Sequence, residues 1–156
     1  GIEFSDSKIL DKKPLILFRN TPDNVVQFFD QLNFNIIHCD SFEEHDKWMS
    51  YVSHGPFLIS TLLPSIIQKE SQNFQSQLAD VSATGFKDTT RLCNGPIEWG
   101  SEIFEHNKDQ LLNLIQKIES ELSEIKTNIK TSNKPSIKNY LNKSKQCRAK
   151  IIKEIT

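Results

Sequence analysis

The chain has 156 residues, 37% of them hydrophobic and 25% charged, with 19 lysines and arginines against 20 acids and a formal net charge of -1. That is one domain's worth, or one domain and part of another, with a single good core. A mean hydropathy of -0.47, and no apolar run near the roughly 20 residues that a spanning helix needs, exclude a membrane-embedded protein, while the near-neutral charge excludes binding of nucleic acid through a general basic field.

No basic-then-apolar leader opens the chain, so a cytoplasmic protein is expected. Glycine is scarce: Gly1, Gly55, Gly85, Gly95 and Gly100 are the full set. Neither GxGxxG nor GxxxxGK[ST] can be written with them, so a nucleotide site would have to lie elsewhere. Cys39, Cys93 and Cys147 stand too far apart for a CxxC motif and read as reduced thiols. The four histidines form no HExxH or HxxxH pair, and no metal is expected.

In chain order, Pro14 to Phe18 (PLILF) is an apolar run of strand length, Thr21-Pro22-Asp23-Asn24 is a helix-start signal, and Val25 to Leu32 has helical spacing. Phe34 to His38 is again strand-like. Strand, helix and strand in so short a span make a β-α-β unit, which needs a parallel sheet, and two strands alone make a poor one. Residues 1–40 therefore read as the closing unit of an α/β domain; the competing reading is a small α/β cap on a helical domain. From Ser41 the pattern is helical. Ser41 and Glu44 make a capping box for a helix through His45, Trp48, Met49, Val52, Phe57, Leu58, Leu62 and Leu63, with a kink expected at Gly55-Pro56 and a kink or an end at Pro64. A second helix is expected over 71–82, then a loop from Gly85 to Glu98, then one long helix from Trp99 to Ile129. Ser132-Asn133-Lys134-Pro135 breaks the chain before a final helix to about residue 152. An apolar seam of that length on a single helix predicts self-association.

Four features bear on chemistry. His45-Asp46 opens the kinked helix and Ser53-His54 follows. On an ideal helix Ser53 falls about 80° from His45, so the two line one rim of a cleft, whereas His54 falls about 180° away; the competing reading is surface side chains with local hydrogen bonds. The polar loop ending in Asp88-Thr89-Thr90-Arg91 suits an anion. The chain uses only three arginines, Arg19, Arg91 and Arg148, and an arginine in such a loop suggests bidentate carboxylate binding; the competing reading is a helix cap with a structural Asp88 ion pair. The basic tail from Lys126 onward carries a single acid, Glu154; with only Tyr140 to stack on bases, it reads as a solvated helix face. Trp99 is a core anchor or a ligand stack.

Taken together, HDKWMSYVSHGP, ATGFKDTTRL, PIEW and IFEHNKDQLLNLIQKIESELSEI resemble the helical C-terminal domain of the prephenate and arogenate dehydrogenases. The resemblance runs from about Leu15 to Ile129. It implies a mainly α fold: a helical substrate-binding and dimerisation domain of the 6-phosphogluconate dehydrogenase C-terminal type over 41–156, preceded over 1–40 by the terminal β-α-β unit of a Rossmann nucleotide-binding domain. The activity it implies is an NAD- or NADP-dependent oxidative decarboxylation of a small ring substrate, arogenate or prephenate, in tyrosine biosynthesis. It further implies a homodimer, with no metal, no nucleic acid and no membrane partner. The family's catalytic histidine would lie upstream, so none is expected here. His45, Ser53, Arg91 and Trp99 are expected to bind substrate, with Asp88 and Thr89 shaping the loop. Two departures stand out: Phe57 replaces the second histidine of an SHxPH pattern, as in arogenate-using members, and Asn94 to Glu98 is one residue shorter than the common form. A helical dimerisation or tyrosine-sensing module without catalysis is the alternative.

Overall fold

The computed structural model describes residues 12–152, which fall into two compact units, one ending at Gln110 and one beginning at Leu111. The first opens with β1 (Pro14–Phe18), α1 (Asp23–Gln31) and β2 (Asn35–Cys39). The strands are parallel, with Pro14 opposite Asn35 and Phe18 opposite Cys39. The expected β-α-β unit is therefore present, with its second strand one residue later than Phe34 to His38. The shift has a local cause. Asn33 takes a left-handed φ of 61°, and the amides of Asn33 and Phe34 bond to the carbonyls of Asp30 and Phe29. This paired closure uses up Phe34 in ending α1, and asparagine tolerates the conformation that it needs.

Next come α2 (Phe42–Met49), a π-helical turn (Ser50–His54) and α3 (Gly55–Ile67). Ser41 caps α2 by accepting from the Glu44 amide at 3.1 Å, while Glu44 reaches one residue further back than a capping box requires and accepts from the Asp40 amide. The expected kink at Gly55-Pro56 is a π turn, closed by the Gly55 amide on the Ser50 carbonyl. Proline at 56 has no amide to donate, and in an uninterrupted α-helix its ring would strike the Val52 carbonyl; the wider turn relieves both problems. Pro64 neither ends α3 nor caps it. It forfeits one bond, and the pattern resumes with the Gln68 amide on the Pro64 carbonyl.

The capped helix expected over 71–82 is α4 (Gln72–Val81), with Ser71 accepting from the Phe74 amide. Two expectations are corrected beyond it. The segment read as a loop from Gly85 to Glu98 holds α5 (Thr84–Thr90), a 3₁₀ turn (Arg91–Asn94) and the start of α6 (Ile97–His106). Glycine and β-branched threonine disfavour helix locally, but Thr90 is buried and its hydroxyl satisfies itself on the Phe86 carbonyl at 2.7 Å, while α5 and the 3₁₀ turn pack on α3. Tertiary contact overrides propensity. The long helix from Trp99 to Ile129 is interrupted at Asn107, whose φ and ψ of -107° and 32° separate α6 from α7 (Lys108–Lys130). The seam expected on one helix is thus shared by two.

Phe57 and Ile103 are buried in the first unit, together with Ser60. The Phe57 ring meets Trp99 edge-on at 5.5 Å and Phe104 at 5.6 Å. Gly100 belongs to the same contact, because a Cβ there would lie 2.7 Å from Phe57 Cζ. The second unit contains most of α7 and α8 (Lys134–Ile151). Ser132, at φ 52°, closes α7, and Asn133 caps α8 by accepting from the Ser136 amide at 3.2 Å. Leu122, Ile129, Leu141 and Ile151 of this unit are exposed. Among the described residues no helix is long and apolar enough to cross a membrane.

Candidate functional site

The end of β1 sets the position of α2. Phe18, its last residue, packs at a tilt against Phe42 with ring centroids 4.5 Å apart and lies 6.4 Å from the His45 ring, while Arg19 and Asp40 pair beside it. Ligands of parallel sheets collect at the carboxyl ends of the strands, and α2 presents His45-Asp46 there. His45 Nδ1 lies 3.0 Å from Asp46 Oδ1, with both side chains partly exposed.

The π turn then alters the expected geometry. An ideal helix puts Ser53 near His45 and His54 opposite it; the slip introduced by the π turn instead brings His54 within electrostatic reach of both Asp46 and His45. His54 Nδ1 lies 2.8 Å from Asn107 Nδ2, and the same amide group donates to the Asp46 backbone carbonyl at 2.8 Å. Asn107 is 4% exposed, and its Oδ1 is buried without a hydrogen-bond partner among the described residues. Ser53 is half-buried, and no contact joins it to His45 among the described residues. The cluster is His45, Asp46, His54 and Asn107; the placing of His54 opposite His45 is corrected. Sequence reasoning missed Asn107. Its signals were its place in the IFEHN segment and its polarity within an otherwise continuous helical spacing.

Burial holds His54 below the ordinary histidine value of 6.5; the Asp46 carboxylate pulls upward and His45 adds to the lowering. In the unfolded chain the ring takes a proton near 6.5, and in the folded chain only at lower pH. The contribution of neutral His54 to stability is therefore complete above 6.5 and is lost as the pH falls through the lowered value. Thermal unfolding midpoints measured from pH 8 to pH 4 should drop across this window, and His54→Gln should flatten that part of the curve. An unchanged slope would contradict the assignment.

Arg91 begins the 3₁₀ turn that packs on α3. It is exposed, and no side chain pairs with its guanidinium among the described residues. Asp88 and Thr89 lie on the exposed face of α5 rather than in a loop, and Asp88 makes no ion pair among the described residues, so the reading of a structural Asp88 bridge is not supported. Trp99 is 46% exposed and rests on Phe57: part of it belongs to the core and part is open to solvent. Phe57 itself is 7% exposed and packs on rings.

Glycine marks no phosphate cradle here. The β1–α1 connection is Arg19-Asn20-Thr21-Pro22, and without a glycine the backbone is not freed for the close approach to a pyrophosphate that a dinucleotide fingerprint provides. The described residues hold no glycine-rich dinucleotide fingerprint, and there is among them no group of three or more His, Cys, Asp or Glu side chains placed to hold a metal.

Comparison with known proteins bears on the helical part. A family model described as prephenate dehydrogenase, dimerization domain, matches residues 41–143. The prephenate dehydrogenase of Bacillus subtilis (strain 168) is 27% identical over 106 residues, which is 68% of this chain and 28% of that protein. Among solved structures, the arogenate dehydrogenase of Synechocystis matches with a TM-score of 0.80 at 22% identity, over 92% of this chain and 54% of that one. The prephenate dehydrogenase of A. aeolicus, in complex with hydroxyphenyl propionate and NAD+, matches with a TM-score of 0.79 at 24% identity, over 97% of this chain and 54% of that one. At these identities the structures establish the fold, a mainly helical domain behind a short β-α-β unit. The chain spans about half the length of these structures and under a third of the curated relative. With the family model covering most of the chain, from the capping serine of α2 into α8, this protein belongs to the prephenate and arogenate dehydrogenase family and carries its helical dimerisation domain.

Proposed function

We propose that this chain supplies the substrate-binding and dimerising part of an NAD- or NADP-dependent prephenate or arogenate dehydrogenase. The reaction is an oxidative decarboxylation, in which the ring becomes aromatic as its carboxylate leaves as carbon dioxide. The observation that carries this reading is Arg91: an exposed guanidinium without a protein partner among the described residues, held on a turn packed against α3, is set to take a substrate carboxylate. His45 and Ser53 face the substrate from the α2 side, and Trp99 forms wall. Asp88 and Thr89 orient the Arg91 turn through α5. The chain's own contribution is positioning and charge complementarity. The nicotinamide cofactor and the histidine that engages the ring hydroxyl belong to residues other than those described, and no step is assigned to them here.

Support for a homodimer comes from the family's dimerisation domain, and from exposed Leu122, Ile129, Leu141 and Ile151 in the second unit, which a second copy would cover. The complete gene product should reduce NAD or NADP, read at 340 nm, when offered prephenate or arogenate in the four possible pairings. The preferred pair names substrate and cofactor, with arogenate expected from Phe57. Silence in all four from a folded dimer would overturn the enzyme reading in favour of a binding module.

A further inference from the structure

We propose that Asn107 is a positioning residue that fixes the tautomer of His54, leaving Nδ1 bare and the proton on Nε2, so that His54 meets its ligand as a neutral hydrogen-bond donor. Asn107 Nδ2 has two hydrogens and no lone pair to offer, so any ring nitrogen bonded to it at 2.8 Å must be the acceptor. Turning the amide over would set Oδ1 against the Asp46 carbonyl, acceptor on acceptor, in place of the 2.8 Å bond that Nδ2 makes there. The orientation is thus settled by a backbone group that cannot change its own role.

The arrangement also leaves Oδ1 buried without a partner among the described residues, which is unfavourable for such a group. A residue whose purpose was only to end α6 would not require this: an exposed asparagine would end it as well. The two bonds made by Nδ2 reach residues 61 and 53 positions away in sequence, one before the π turn and one at its end. The groups acting on the ring electrostatically are Asp46 and His45, both on α2. Nε2 has no partner among the described residues and is not among the atoms left buried without one, so it is open to solvent or a ligand. A neutral donor suits a carboxylate or another oxygen acceptor and, unlike an imidazolium, does so without changing the charge of the site.

The identity of that ligand rests on the dehydrogenase reading; the tautomer does not. The test uses the complete gene product with ¹⁵N-labelled histidine, and reads the two ring nitrogens of His54 by long-range ¹H–¹⁵N correlation at pH 8. The expected spectrum has a bare Nδ1 and a protonated Nε2. Asn107→Asp, which offers only acceptors to the ring, should reverse the two and move the His54 titration to higher pH. A wild-type spectrum with protonated Nδ1, or shifts that do not move in Asn107→Asp, would overturn the proposal. Should that variant fail to fold, the wild-type spectrum alone decides. In turnover, Asn107→Asp should lower kcat/KM by roughly ten-fold or more, with a displaced pH profile, since an acceptor would then face the substrate oxygen; an unshifted profile in a folded variant would count against the role. A bare Nδ1 in a protein inactive with all four substrate and cofactor pairs would leave the tautomer standing and remove the dehydrogenase reading.

Discussion

Arg91→Ala in the complete gene product should raise KM for the ring substrate by roughly ten- to a hundred-fold, the worth of a charged hydrogen-bond pair, while shifting stability by no more than about 0.5 kcal/mol. The two halves of this expectation have one cause. Arg91 is exposed on the 3₁₀ turn and no side chain among the described residues pairs with it, so truncation breaks nothing in the folded chain and removes only what a ligand would use. Arg91→Lys should recover part of the loss, because an ammonium keeps the charge but not the planar fork that grips a carboxylate at two points. Lys143→Ala on α8 is the control and should leave KM alone. If Arg91→Ala and Lys143→Ala behave alike, the carboxylate is bound elsewhere.

Phe57→Ala should be the most destabilising single change in the first unit, at about 3–5 kcal/mol. The ring is 7% exposed and is held by Trp99, Phe104 and the bare face of Gly100; its loss leaves a hole between α3 and α6. The same contact can be stressed from the other side. Gly100→Ala would drive a methyl to 2.7 Å from Phe57 Cζ, costing about 1–3 kcal/mol through overpacking. Placing Gly100→Ala on a Phe57→Leu background should cost less than on the parent, since leucine vacates the space of the ring edge. Chemical denaturation of the four proteins gives the coupling directly. An additive result would mean that α6 moves away instead of resting on the ring.

The parts legible in the sequence are those with local causes. PLILF folds as a strand because it is short, apolar and bounded by polar residues, and Ser41, Ser71 and Asn133 cap helices because their side chains reach an amide three residues ahead. Arg91 stands out as a candidate for a similar reason: its rarity and polar company can be seen without coordinates. What escaped depends on distant partners. The helical nature of residues 84–90 follows from packing on α3, against the local preference of Gly85 and the threonines. The break at Asn107 was hidden because apolar residues continue on either side of it, and periodicity cannot distinguish one helix from two that keep the spacing. His54 was placed opposite His45 by the arithmetic of an ideal helix, and the π turn made that arithmetic inapplicable.

The π turn also sets a rule about chain length. A π turn is a helix with one residue more than its hydrogen-bond pattern would otherwise hold, and here it lies between the two groups that Asn107 joins, the Asp46 carbonyl before it and the His54 ring at its end. Side chains within it, such as the exposed Val52, can be exchanged without touching that count. Deleting one of them removes the extra residue: ordinary winding would then set His54 eight positions after His45 and about 80° around from it, still on its side of the helix, but would leave the Pro56 ring to strike the carbonyl four residues before it. Over Ser50–His54 the extra residue serves the proline that follows it, and the facing of the helix beyond is kept with it or without it.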